Sequence, residues 1–305
     1  MKGTYRTTVP LDVPPDQREA FQERFDRMTG GKGRLMLFAG DQKMEHLNDD
    51  FYGEGIDPDD GDPEHLFRIA SRGRIGAFAT QFGLIARYAA NHRDVPYVVK
   101  LNSKTHLVKP LQAEPLSRQW LAVDDVAALR DENDLDIVGV GYTVYLGSEH
   151  EAVMLTEAAQ LVHRAHRLGM TAILWMYPRG RAVPVERDMH LVAGAAGAGA
   201  CLGADFVKLN CPGGPDAMKG FDEVVRAAGR TGVLCSGGSH KDERAFLERL
   251  HQQIAAGAGG SATGRNIHQR PLDKAARFCD AIYAITVDGA SVREAMGLLQ
   301  GDPGA

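Results

Sequence analysis

Two lysines stand inside otherwise apolar runs of the chain: Lys100 in V-V-K-L-N (98–102) and Lys208 in F-V-K-L-N (206–210). Ammonium groups are rarely buried without a purpose or a partner. In an apolar pocket beside a second cation, a lysine loses proton affinity, because both effects penalise its charged form. The free amine that results can attack a ketone and form a Schiff base. The protonated imine is an electron sink, so this chemistry makes or breaks a carbon–carbon bond next to the ketone. A proton carrier is also needed. In T-A-I-L-W-M-Y-P (171–178), strand alternation sets Ile173, Trp175 and Tyr177 on one face, with Tyr177 at the end of the run and Trp175 on the same substrate side. Asp41 closes L-M-L-F-A-G-D (35–41) and could hold or deprotonate a substrate hydroxyl.

A second signal is for anion binding. S-G-G (Ser236, Gly237, Gly238) and G-R-N (Gly264, Arg265, Asn266) each follow a short apolar run near the end of the sequence. Glycines let backbone N–H groups approach a phosphate, and Arg265 adds a charged fork.

These residues need elements to hold them at one place. Apolar runs recur at 35–41, 75–80, 97–102, 136–142, 171–177, 205–210, 232–237 and 259–266, with helical patterns such as 149–169 and 241–257 between most of them. Short strands covered on both faces and alternating with helices imply parallel β/α units. Eight of them predict a single α/β domain, a closed (β/α)8 TIM barrel over 35–300; an open doubly wound sheet is the runner-up. Residues 1–34 form an N-terminal extension with a helix over 15–29, and 301–305 a frayed tail. In a barrel, catalytic groups sit at the C-terminal ends of the strands, here Asp41, Gln81, Lys100, Tyr142, Tyr177, Lys208, Ser236 and Arg265. Phosphate sites are frequently made by the loops after strands seven and eight, where the two glycine motifs fall.

Composition excludes other classes. The 305 residues carry 35 basic and 40 acidic side chains, a net charge of −5, with no basic run, so no nucleic-acid partner is expected. No stretch reaches the roughly 18 apolar residues of a membrane span, and the N-terminus lacks the apolar core of a signal peptide. Cys201, Cys211, Cys235 and Cys279 show no metal spacing and read as reduced cytoplasmic thiols. There is no 20–50-residue repeat, and the glycine-rich stretch 194–203 lacks dinucleotide-binding spacing; its small residues suit close packing of a helix on the sheet. His163 and His166 read as surface residues, and acidic 49–64 as a solvated loop over the barrel mouth. No group of histidines and carboxylates ends the strands, so neither a metal nor an organic cofactor is expected. Glu45 and His46, just beyond Asp41, are further candidates for the site.

Taken together, V-K-L-N-S-K-T (99–105), V-G-Y-T-V-Y-L-G-S (140–148), W-M-Y-P-R-G (175–180), G-A-D-F-V-K-L-N (203–210), S-G-G (236–238) and G-R-N-I-H-Q-R (264–270) make the chain resemble the archaeal-type class I fructose-bisphosphate aldolases, within the deoxyribose-phosphate aldolase-like barrels. The resemblance runs from about residue 35 to 285. It implies Lys208 as the Schiff-base lysine, Tyr177 as the acid/base, Asp41 at the substrate hydroxyl, and Ser236, Gly237, Gly238, Gly264 and Arg265 around a phosphate. Arg179 is implied as a contact for a second phosphate or the substrate chain. It further implies a phosphosugar substrate and a homo-oligomer. Where related enzymes read D-H-G-x-x-x-G-P, this chain reads D-Q-K-M-E-H-L-N (41–48), on the aldehyde side of the substrate. The expected activity is cleavage or formation of fructose 1,6-bisphosphate. The alternatives are a Schiff-base transferase or synthase, transaldolase-like or thiolase, and a non-catalytic phosphosugar-binding barrel.

Overall fold

Each apolar run becomes a strand: β1 (Leu35–Ala39), β2 (Ala77–Gln81), β3 (Tyr97–Lys100), β4 (Ile137–Leu146), β5 (Thr171–Pro178), β6 (Phe206–Leu209), β7 (Gly232–Ser236) and β8 (Gly260–Thr263). The computed structural model describes residues 8–107, 114–211, 218–238 and 242–301. β1 pairs in parallel with both β2 (Leu37 opposite Ala77) and β8 (Leu35 opposite Gly260). The sheet therefore closes into a barrel in chain order. The open sheet is ruled out. Most of the tail expected at 301–305 lies outside the described residues.

Helices intervene as the pattern predicts. α1 (Arg18–Thr29) precedes the barrel, α2 (Gln42–Glu45) and α3 (Pro63–Arg72) follow β1, and α4 (Phe82–Tyr88) follows β2. α5 (Val123–Asn133), α6 (Glu151–Arg167), α7 (Met189–Cys201), α8 (Phe221–Ala228) and α9 (Glu243–Ala255) follow β3 to β7 in turn. α10 (Arg265–His268), α11 (Leu272–Tyr283) and α12 (Val292–Gln300) complete the described chain. Local capping sets several starts. The carboxylates of Asp62, Asp188 and Asp242 accept from backbone N–H groups in the first turns of α3, α7 and α9, which satisfies donors the helix cannot pair internally.

The N-terminal helix packs against the barrel's lower end. Phe25 of α1 stacks on Phe206, two residues before Lys208 on the same face of β6, with ring centroids 5.6 Å apart. Arg24 donates to the Gly169 carbonyl at 2.7 Å. The same end corrects one expectation. His163 is exposed, but His166 is buried between Asp12, 2.9 Å from Nδ1, and Asp205, 3.2 Å from Nε2. One turn of α6 meets the N-terminal segment, and the buried His166 pairs with buried Asp205 on one side and the more exposed Asp12 on the other. Burial alone would lower the imidazole's proton affinity; the two carboxylates override it and hold the group up at about 9.

The acidic segment 49–64 is also not a merely solvated loop. Phe51 is fully buried and stacks on His268, with centroids 4.3 Å apart. Asp60, also fully buried, bonds His268 Nδ1 at 2.7 Å. Gln269 donates to the Asp50 carbonyl at 2.8 Å. Two interior side chains hidden in an acidic stretch thus turn it into a buttress for the segment that carries Arg265.

Candidate active site

A cavity of about 210 Å³ opens at the C-terminal ends of the strands, with Asp41, Glu45, Tyr177, Arg179, Lys208 and Asn210 in its wall. Ser236, Gly237, Gly238, Gly264 and Arg265 complete one side. A larger hollow beside the start of β4, around Arg24 and Asp136, is lined by arginines, aspartates and two apolar residues and contains no nucleophile. The chemistry selects the first.

Lys208 lies at the base of this cavity, 5% exposed, with Asp41 Oδ1 3.9 Å from Nζ. Asp41 is itself buried, and Oδ1 makes no hydrogen bond. Gln81, at the end of β2, donates to the Asp41 carbonyl at 2.8 Å and steadies the turn after β1. Trp175 pairs with Lys208 across β5 and β6, and its ring centre is 5.2 Å from the ammonium. Tyr177, one inward position further along β5, reaches the cavity. Burial, then the charges of Glu45 and Asp41, push its phenol well above the ordinary tyrosine value. It is a neutral O–H donor across the physiological range.

Two expected site residues lie deeper. Neither Trp175 nor Lys100 is in the cavity wall. Gly141 is the reason for the indole's position: a Cβ there would come within 2.6 Å of the Trp175 ring, so the bare backbone lets the ring lie across the barrel. Lys100 sits 5.0 Å from the same ring's centre. Its Nζ donates to Asn102 O (2.8 Å), Asn102 Oδ1 (3.1 Å) and Thr143 Oγ1 (2.6 Å). Burial pulls its proton affinity down to about 8, against the raising effect of Asp41 and Glu45.

The two glycine motifs meet as predicted. Ser236 Oγ donates to Asn210 Oδ1 at 3.0 Å, and the Gly237 N–H to the Ala262 carbonyl at 3.0 Å. Gly264 is required by crowding: a Cβ would fall 2.1 Å from Gln42 Oε1 and 2.5 Å from the Ala39 carbonyl. The helical stretch after it, α10, is only four residues long. Arg265 Nε lies 3.5 Å from Asp50, which His46 also contacts through Nδ1.

The opposite wall was only partly visible in the sequence. β4 continues to Leu146, so Tyr142 is not its end; its hydroxyl points to the helix layer and donates to Glu157 at 2.7 Å. The mouth is reached instead by Tyr145, whose O–H donates to Glu45 Oε1 at 3.2 Å. Continuing the inward alternation Gly141, Thr143, Tyr145 through the apolar run would have found it. His106, from the segment after β3, donates its backbone N–H to the Glu45 carbonyl at 2.9 Å, and its Nε2 is 3.9 Å from Glu45 Oε1. Burial works to raise the Glu45 carboxyl, but His46, Lys100, His106 and Arg179 together hold it below its usual value. Arg179 is paired with Glu186 through two bonds of 2.7 and 2.9 Å.

Glu45 and His46, both candidates from the sequence, are joined by His106, which sequence reasoning did not single out, with one donor atom from each within 4.8 Å of the others. That spacing suits a divalent ion. The charges do not: Lys100, Arg179 and the two histidines already surround the one carboxylate.

Known proteins match the chain over most of its length. A model of the DeoC/LacD family aldolases matches residues 35–270. The chain is 55% identical over 295 residues (96% of this chain, 94% of the relative) to the fructose-bisphosphate aldolase/6-deoxy-5-ketofructose 1-phosphate synthase of Methanocaldococcus jannaschii. The solved fructose-bisphosphate aldolase of Slackia heliotrinireducens superimposes with a TM-score of 0.95 at 52% identity, covering 98% of this chain and 96% of that one. An archaeal fructose-1,6-bisphosphate aldolase, captured with its catalytic lysine bound to the carbinolamine intermediate, gives 0.75 at 33% identity over 88% of this chain and 99% of its own. The chain belongs to the DeoC/LacD family of aldolases. It is a carbon–carbon lyase of the Schiff-base type. No helix among the described residues is long and apolar enough to cross a membrane.

Proposed function

We propose that the protein cleaves and forms fructose 1,6-bisphosphate through an imine on Lys208. The observation that carries this is the position of Lys208 at the base of the cavity, between Asp41 and the anion-binding loops of β7 and β8. The Lys208 amine adds to the C2 ketone, and loss of water gives the iminium. As the C3–C4 bond breaks, its electron pair moves into the iminium and forms the enamine. The C4 hydroxyl proton passes to Asp41, whose Oδ1 makes no hydrogen bond. Glyceraldehyde 3-phosphate leaves, Tyr177 protonates the enamine at C3, and hydrolysis releases dihydroxyacetone phosphate. Ser236, Gly237, Gly238, Gly264 and Arg265 hold the C1 phosphate, while Arg179 faces the other end. Trp175 and Lys100 support the reacting lysine from beneath. The imine itself is the electron sink, so this route calls on no cofactor. Four cysteines with neither metal nor disulfide-framework spacing in the sequence support a cytoplasmic setting.

A second use of the same enamine is favoured by the loop after β1, where this chain departs from related enzymes, and by the synthase activity named for the 55% identical relative. Cut between C3 and C4, a 6-deoxy-5-ketofructose 1-phosphate yields dihydroxyacetone phosphate and an unphosphorylated 2-oxo aldehyde.

The test is borohydride reduction in the presence of dihydroxyacetone phosphate, followed by peptide mass spectrometry. A reduced adduct on Lys208, absent in Lys208→Met, is expected. An adduct on Lys100, or none on the folded protein, overturns the assignment. Adding fructose 1,6-bisphosphate with 2-oxopropanal and identifying the ketose formed tests the transfer reaction.

A further inference from the structure

The lyase mechanism leaves Glu45 without a task. We propose that Glu45 selects the aldehyde partner, favouring one with a hydroxyl on the carbon next to the carbonyl over one with a second carbonyl there. This rests on the assignment of Lys208 as the imine-forming residue, and the geometry follows from covalent order. With the C1 phosphate at the β7–β8 loops and C2 on Lys208, C4 and C5 extend towards the opposite wall. Tyr177, Tyr145, Arg179, His106 and Glu45 meet there.

An ionised carboxylate can only accept hydrogen bonds. One oxygen of Glu45 already accepts from Tyr145 at 3.2 Å. Among the described residues, no hydrogen bond engages Oε2. A hydroxyl on C5 donates to it; a ketone at the same carbon presents lone pairs to a negative charge. The side chain is 15% exposed, so water screens this contrast weakly. The Glu45 backbone is held separately, because its carbonyl accepts from His106 N–H at 2.9 Å. Changing the side chain therefore leaves the loop's main anchor to that segment in place.

The experiment compares condensation of dihydroxyacetone phosphate with D-glyceraldehyde and with 2-oxopropanal, two uncharged aldehydes of equal chain length. The wild type is expected to prefer glyceraldehyde in kcat/KM by about 10- to 100-fold, the range of one hydrogen bond to a charged group. Glu45→Gln keeps the size but offers an N–H to a ketone. It should erase or invert that preference, mainly through KM for the aldehyde, while the borohydride adduct on Lys208 forms as before. Glu45→Asp, which withdraws the charge by one methylene, should lower the preference partway, and it decides the matter if the glutamine variant does not fold. A wild type that favours 2-oxopropanal, or variants that slow both aldehydes equally, overturns the proposal. A wild type that forms no lysine adduct overturns the underlying assignment instead, so the two failures are distinguishable.

Discussion

β3 and β6 carry the same four residues, V-K-L-N, and put them to different use. On β3, Lys100 is opposite Gly141 of β4, and Thr143 two residues on accepts from its ammonium. Asn102 turns inward to donate to Thr143 O and Ser117 O, and its own Oδ1 and carbonyl accept from Lys100. On β6, Lys208 is opposite Leu234 of β7, and the hydroxyl two residues on is Ser236. That hydroxyl donates to Asn210 Oδ1, and the nearest carboxylate to the Lys208 ammonium is Asp41 at 3.9 Å. The asparagine decides between them. Turned towards the lysine, it makes a caged structural cation; turned towards a hydroxyl on the next strand, it leaves the amine facing a cavity.

Paired substitutions break this comparison most directly. Lys208→Met should lower turnover by more than about 10³-fold, as loss of a nucleophile does, and abolish the borohydride adduct. Lys100→Met should keep the adduct on Lys208 yet cost roughly 2–3 kcal/mol of stability in urea unfolding, because Asn102 and Thr143 lose a charged donor while buried. An adduct that disappears in both would refute the division of labour.

Tyr177→Phe sharpens the comparison from the β5 side. Turnover should fall by about 10²- to 10⁴-fold, the range for a proton-transferring group, with the imine still forming. Loss of trapping would instead tie Tyr177 to carbinolamine dehydration.

An effect on stability alone, without loss of the adduct, is expected at the other end of β6. Asp205, just before that strand, accepts from His166 and from the Ala172 N–H at 2.8 Å. The folded-state imidazole value of about 9 is above the unfolded value near ~6.5, so its contribution is full below roughly pH 6.5 and fades as pH rises through 9. The wild type should lose on the order of 3 kcal/mol between pH 6 and pH 10 relative to His166→Gln. Parallel stability curves for the two proteins would remove His166 as an anchor of the lysine strand.

The loops proposed for the phosphate were legible because their parts are short contiguous motifs. S-G-G and G-R-N each sit immediately after a strand, and chain order alone brings strands seven and eight together. The aldehyde side was not. Glu45 was a candidate from the sequence, but Tyr145 and His106 come from two further segments and neither is distinctive until β4 proves longer than its apolar start. The acidic loop misled for a related reason: composition does not show that Phe51 and Asp60 turn inward while their neighbours face water.

By itself the sequence determined eight parallel β/α units, since short runs able to be covered on both faces alternate with helices; closure of β8 on β1 came from the tertiary structure. It also determined the inward direction of both lysines, because alternation along a strand is fixed by the pleat. Only the tertiary structure decided which lysine is caged, that Trp175 lies under the site, and that Glu45 faces the far end of the cavity. Those outcomes depend on which side chains from distant segments compete for the same hydrogen-bond partners and space.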